Sequence, residues 1–156
     1  MLATLLPLIP TCQSIQLLQL NDERQMLHVL ALFNSIVFDY IIRLKMVGLD
    51  LTQTIIKQIP VPKIDQYDGE ITYKDITASI STHILSRLKV LYSDDIRICG
   101  IFEKYSLYDV TDNRKTVISD LDKIIGQMYG INKKTLKNIA NSFDSYYSKE
   151  EVASFF

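Results

Sequence analysis

The chain has 156 residues, 47% hydrophobic and 22% charged, with 5 glycines, 4 prolines and no low-complexity tract, which excludes a disordered or fibrous chain and allows one compact domain or two small lobes. A formal net charge of -1 and an isoelectric point near 6.1 exclude a uniformly basic nucleic-acid binder, so any DNA contact has to be local. Cys12 and Cys99 form neither a Cys-x-x-Cys pair nor a metal-ligand spacing, and are expected as reduced thiols of a cytoplasmic protein.

Met1 to Pro10 is apolar but lacks a basic leading region and a small-residue cleavage site, so it does not read as a signal peptide. Leu2 to Leu8 reads as a short buried strand, and Ile15 to Leu20 as its partner. A methionine running straight into a buried strand suggests excision from a longer chain. Asn21 and Asp22 can cap one long helix in which Met26, Leu27, Leu30, Phe33, Val37, Tyr40, Ile41 and Leu44 recur at helical spacing up to Gly48. Asp39, Arg43 and Lys45 interrupt this apolar stretch well short of the roughly 20 residues of a membrane span, so no membrane partner is expected.

Leu49 to Val61 is expected to be extended, closed by Pro60 and Pro62, and the polar Lys63 to Lys74 to be a surface loop. Asp75 to Tyr92 carries Ile76, Ile80, Ile84, Leu85, Leu88 and Leu91 at three-to-four spacing and predicts a second long helix, capped by Asp75 or Thr77. Ile96 to Tyr105 reads as a short strand or helical turn and Ser106 to Asn113 as loop. Thr111 to Tyr129 then predicts a helix stopped at Gly130, followed by a shorter one over Lys133 to Phe143, the two forming a helical hairpin. The expected fold is α+β and mostly helical, a small N-terminal strand layer packed on a long helix and followed by a C-terminal helical lobe. The expected division is an α/β lobe at 1–62, a connecting loop at 63–74 and the helical lobe at 75–156.

Two stretches carry a resemblance. Ala31 to Pro62 reads ALFNSIVFDYIIRLKMVGLDLTQTIIKQIPVP, and Ser119 to Phe143 reads SDLDKIIGQMYGINKKTLKNIANSF. Together they resemble the C-terminal, target-recognition region of type IIG and related restriction-modification adenine-specific DNA methyltransferases. The first matches that family's "LNS…fdy…R" helix and "iiKqlPvP" exit through Leu32, Asn34, Ser35, Phe38, Asp39, Tyr40, Arg43, Gly48, Lys57, Gln58, Pro60 and Pro62. The second matches its closing helical pair through Leu121, Asp122, Ile124, Ile125, Tyr129, Gly130, Ile131, Leu136, Ile139 and Phe143. The helix, loop and proline exit are also similar to the specificity subunits of type I restriction enzymes.

The resemblance implies double-stranded DNA as partner, together with an N-terminal methyltransferase domain that uses S-adenosylmethionine to methylate adenine N6, with or without cleavage. This chain has no Asn-Pro pair to hold a flipped base and no Gly-rich turn for that cofactor, so no cofactor and no catalytic residue is expected in it. Asp65, Asp68, Glu70 and Lys74 are the nearest approach to a nuclease metal cluster and read better as solvated loop residues. His28 and His83 lack triad partners and read as core or partly exposed residues.

The DNA-binding candidates are Arg43, Lys45, Thr52, Gln53, Thr54, Lys57 and Gln58, residue types that neutralise phosphates or bond guanine and adenine edges. The bland reading makes Arg43 and Lys45 counterions of a helix end. Lys133, Lys134 and Lys137, with Arg114, Lys115 and Lys123 nearby in sequence, are candidate phosphate contacts, or else a solvated face. Two alternatives stand beside target recognition: a helical scaffold or protein-interaction module, favoured by near-neutral charge, and a helix-turn-helix regulator built on Ser119 to Phe143, which requires the later helix to expose its polar side.

Overall fold

The computed structural model describes residues 3–6, 17–46, 48 and 51–156. Asp22 caps the first helix, α1 (Glu23–Phe33), by accepting from the amides of Arg24 and Gln25. One long helix was expected here, but the chain breaks at Asn34–Ser35 and restarts as α2 (Ile36–Lys45), bent by 70° from α1. Side chains compete with the helix ladder at that point. The Ser35 hydroxyl accepts from Phe38 N–H, and the Asn34 amide donates to the carbonyls of Leu30 and Ala3 while its oxygen accepts from Ala3 N–H. No single helix among the described residues is long and apolar enough to cross a membrane.

The segment expected to be extended contains a short helix, α3 (Gln53–Lys57), started by the Thr52 hydroxyl accepting from Ile55 N–H. The expected loop at 63–74 is instead a 3-10 helix (Ile64–Asp68) followed by strand β1 (Glu70–Tyr73), which pairs antiparallel with β2 (Ile76–Ser79). Tyr73 faces Ile76, so Lys74 and Asp75 alone form the turn, both with positive φ of 49° and 63°. That is the geometry of a primed hairpin turn, usually marked by Asn-Gly or Asp-Gly.

The hairpin takes the first residues of what the sequence read as helix. Thus α4 (Ile80–Leu91) is capped by Ser79, not by Asp75 or Thr77. These are the only strands among the described residues, so the sheet of this mostly helical α+β fold lies mid-chain. The two strands expected at the N-terminus fall partly outside the described residues, and 3–6 and 17–20 have no regular structure.

A 3-10 helix (Cys99–Lys104) occupies the expected helical turn, and 106–113 is irregular. Asn113 then caps α5 (Arg114–Met128) and Asn132 caps α6 (Lys133–Asn141). Gly130, at φ 68°, ends α5, and Ile131 N–H reaches back to Gly126 O at 2.9 Å. Gly130→Ala is expected to destabilise by about 1 kcal/mol, because a Cβ is strained in this conformation, read as a lower urea midpoint with unchanged slope. A final helix, α7 (Lys149–Phe155), begins with a Ser148–Glu151 capping box that the sequence reading passed over.

The helical hairpin is corrected. α6 leaves α5 and lies mainly on α2 and α7, touching α5 where Leu136 covers Gly126 closely enough to crowd a Cβ there. One core cluster draws on both sides of 63–74, with Leu27, Val37, Phe38, Ile84, Leu88, Ile124, Ile125 and Ala140 all buried in it. α4 is the central element, packed on α1, α5 and both strands. Burying apolar area of this kind stabilises by about 25 cal/mol per Å2, which is what orders helices this short.

Candidate nucleic-acid interface

Hydrogen bonds join the two stretches that carry the family resemblance. Tyr129, at the end of α5, donates its hydroxyl to Pro60 O at 2.8 Å, which seats the α5–α6 turn against the exit of α3. Deeper in, the Asp122 carboxylate accepts from Ile36 N–H at 2.9 Å and from Tyr147 O–H at 2.6 Å, so a side chain of α5 supplements the Ser35 cap at the start of α2. Burial, working against both of these bonds, pushes the Asp122 carboxyl up to about 7.

On this frame the candidate residues separate by role. Arg43 and Lys45 lie in the last turn of α2, where cations complement the partial negative charge of a helix end. Arg43 also bonds Asp39 at 3.2 Å and lies over the Phe143 ring, 4.9 Å from its centroid. The Thr52 hydroxyl is used as a helix cap. Gln53, Thr54, Lys57 and Gln58 are exposed on or next to α3.

Lys133 and Lys134 are exposed in the first turn of α6, which contains no acidic residue, and Lys137 is half-buried. Two lysines at a positive helix end cost roughly 0.3–1 kcal/mol each unless an anion offsets them. Burial lowers the pKa of the Lys123 ammonium, and Lys74 and Lys133 add to that effect against the nearby Asp120, so Lys133 lies within electrostatic reach of α5.

Charge pairing sets these residues apart. Among the described residues, Arg24, Lys74, Lys89, Arg97, Lys104 and Lys115 each face a carboxylate at 2.6–3.3 Å. Among the same residues Lys45, Lys57, Lys133, Lys134 and Lys137 face none, a state shared by Lys63, Arg114 and Lys149. A chain of net charge -1 thus keeps much of its uncompensated positive charge on the end of α2, on α3 and on α6. The metal-like set seen in sequence disperses: Asp68 pairs with Arg24 and Lys74 with Asp112 and Asp120.

A second polar centre escaped the sequence reading. Arg87 and Asp120, 2% and 0% exposed, pair across α4 and α5 at 3.2 Å. Tyr73 O–H and the Lys74 ammonium also bond Asp120, each at 2.8 Å, which anchors the hairpin tip. His83 Nε2 faces Ile71 O at 3.2 Å; a carbonyl can only accept, so Nε2 carries the proton and Nδ1 accepts from Tyr108 O–H. The Tyr108 oxygen in turn accepts from Arg87 at 2.7 Å. Burial, reinforced by Arg87, holds the His83 pKa below its ordinary value, which agrees with that neutral ring. His83 is therefore a hydrogen-bonded core residue. So is His28, stacked on Tyr67 at 4.1 Å and 2.7 Å from the Ser81 hydroxyl.

No protein-family model, curated protein or solved structure matches the chain.

Proposed function

We propose that the chain is the DNA target-recognition, C-terminal segment of a restriction-modification methyltransferase. A separate N-terminal domain would transfer the methyl group of S-adenosylmethionine to adenine N6. The observation that carries this reading is the Tyr129–Pro60 hydrogen bond, which ties the chain leaving the exposed polar helix α3 to the end of α5, just before the basic start of α6. Lys57, Lys133 and Lys134 there have no carboxylate partner among the described residues, so phosphates can neutralise them without first breaking an internal ion pair. Gln53, Thr54 and Gln58 on the same short element supply the donors and acceptors that base edges require.

A helix-turn-helix reading also draws on a specific observation. α6 buries Leu136, Ile139 and Ala140 and exposes Lys133, Lys134, Asn138 and Asn141, with Gly130 in the turn before it.

Fluorescence anisotropy of a labelled duplex tests both. The chain is expected to bind at low salt, with log affinity falling linearly against log salt by about 0.9 per phosphate neutralised. Lys57→Glu, and Lys133→Glu with Lys134→Glu, are each expected to weaken binding and to flatten that slope by about one per lysine. Loss with Lys137→Glu but indifference to Lys57→Glu would shift the reading to helix-turn-helix. Binding indifferent to every one of these changes would leave a helical scaffold.

A further inference from the structure

Residues 106–112 make no main-chain to main-chain hydrogen bond among the described residues, although Tyr105 before them and Asn113 after them are both extended. From Tyr108 to Asp112 burial alternates residue by residue, with Asp109 and Thr111 outward and Tyr108, Val110 and Asp112 turned in. That period of two is the signature of a strand, here one without a partner. Between this segment and α4 runs a groove of two adjoining hollows, of about 180 and 490 Å3, sharing Lys89 and Ser93 in their walls.

Ser86 on α4 lines the smaller hollow, and its hydroxyl, fully buried, has no hydrogen-bond partner among the described residues. An unsatisfied buried hydroxyl in the wall of a cavity is unfavourable in the isolated chain and is relieved by a ligand that donates to it or accepts from it. Phe102 and Leu107 make the larger hollow apolar on one side. At its mouth the Lys89 ammonium is already 3.3 Å from Asp109, while Glu103 is exposed with no ion pair among the described residues, so there the rim carries one uncompensated negative charge.

From these observations we infer that the groove between α4 and residues 106–112 docks an extended peptide segment of a partner protein. Main-chain hydrogen bonds to the unpaired segment would hold it, as in strand addition to a sheet edge. Its side chains would alternate, an apolar residue filling the hollow beside Phe102 and Leu107 and a basic residue two positions away meeting Glu103. The Ser86 hydroxyl would take one further hydrogen bond from the bound segment. This site is separate from the α3–α6 surface and stands or falls independently of DNA binding.

The test is to pan a phage-displayed library of random octapeptides against the full chain and to titrate a synthetic copy of an enriched sequence by calorimetry. Enriched sequences are expected to carry an apolar residue two positions from Arg or Lys. Asp109→Pro removes an N–H that the chain does not itself use, and is expected to weaken binding at least tenfold while leaving the thermal midpoint in place. N-methylation of alternate peptide amides, which leaves the protein untouched, is expected to do the same. Ser86→Ala should weaken binding several-fold and raise the midpoint. Failure to enrich any sequence over the bare support overturns the inference, as does a peptide whose affinity survives N-methylation at every position.

Discussion

Asp122→Asn is expected to unmask a rise in stability between about pH 4 and about pH 6.5 that the native chain conceals, because two buried groups titrate there in opposite senses. Burial pushes Asp122 up to about 7, against an unfolded value of 3.8, so over that interval the folded protein holds a proton that the unfolded chain has lost. Its contribution is complete below the unfolded value and is lost as the pH rises through about 7, a change of about 4 kcal/mol. His28 runs the other way. Burial and the neighbouring Arg24 lower it to about 4 from 6.5, so its contribution is present above 6.5 and is lost as the pH falls through about 4.

Allowing for the partial solvent contact of the His28 ring, that loss is about 2 kcal/mol. In the native chain the rise from His28 offsets about half of the decline from Asp122. An Asn at 122 still accepts from Ile36 N–H and can donate to the Tyr147 oxygen, so the fold is retained and the rise from His28 remains, with His83, also lowered, acting in the same direction. His28→Gln should expose the opposite slope, a decline from about pH 4 to about pH 7. Urea titrations across this range check both, and a slope unaltered by either substitution would contradict the assignment.

Arg87→Met is expected to cost about 3–5 kcal/mol, because it leaves the Asp120 carboxylate buried with its main counterion removed. Arg87 bonds the Asp120 Oδ2 atom through Nε at 3.3 Å and through a terminal nitrogen at 3.2 Å. It also bonds His83 O at 3.0 Å and the Tyr108 oxygen at 2.7 Å, and its guanidinium lies 4.8 Å from the centre of the Tyr73 ring. Four parts of the fold, α4, α5, the hairpin and the 106–112 segment, therefore meet on one side chain.

In a chain of this length that loss corresponds to a midpoint lower by about 10 °C. Arg87→Met combined with Asp120→Leu is expected to recover a good part of it, since removing both charges also removes the desolvation cost of burying them. A double variant no more stable than Arg87→Met alone would show that the loss comes from the other contacts of Arg87. The Lys74 ammonium, 2.8 Å from Asp120 and 44% exposed in its side chain, is the reserve counterion. Its presence sets the loss toward the lower end of that range.

Elements built from local side-chain chemistry were legible in the sequence. Asp22 before an apolar stripe and Gly130 after one mark the start of α1 and the end of α5, because caps act within one turn and need no distant partner, whereas Asn113 starts α5 later than the Thr111 expected. The break at Asn34–Ser35 was written there too, but a continuous apolar stripe outweighed two polar residues. Asp122 and Ala3, which help hold the break open, come from elsewhere in the chain. The hairpin at 70–79 was missed because Lys74-Asp75 lacks the glycine that usually marks such a turn. Ion pairs from Lys74 to Asp112 and Asp120 accompany its left-handed conformation instead.

The candidate interface divides the same way. Residue types and spacing picked out both basic sets and both resembling stretches, since hydrogen-bonding capacity and charge are properties of a side chain by itself. Which lysines are left uncompensated was decided only on folding, because Lys115 finds Glu151 and Lys104 finds Glu23 from far along the chain, while Lys57 and Lys133 find no carboxylate among the described residues. The sequence by itself determined a mostly helical α+β chain, the start of α1 and the end of α5. Only the tertiary structure tied Pro60, beyond α3, to Tyr129, buried Arg87 with Asp120, set Asp122 under α2, and left Ser86 without a partner among the described residues, since long-range proximity and desolvation depend on how the elements pack.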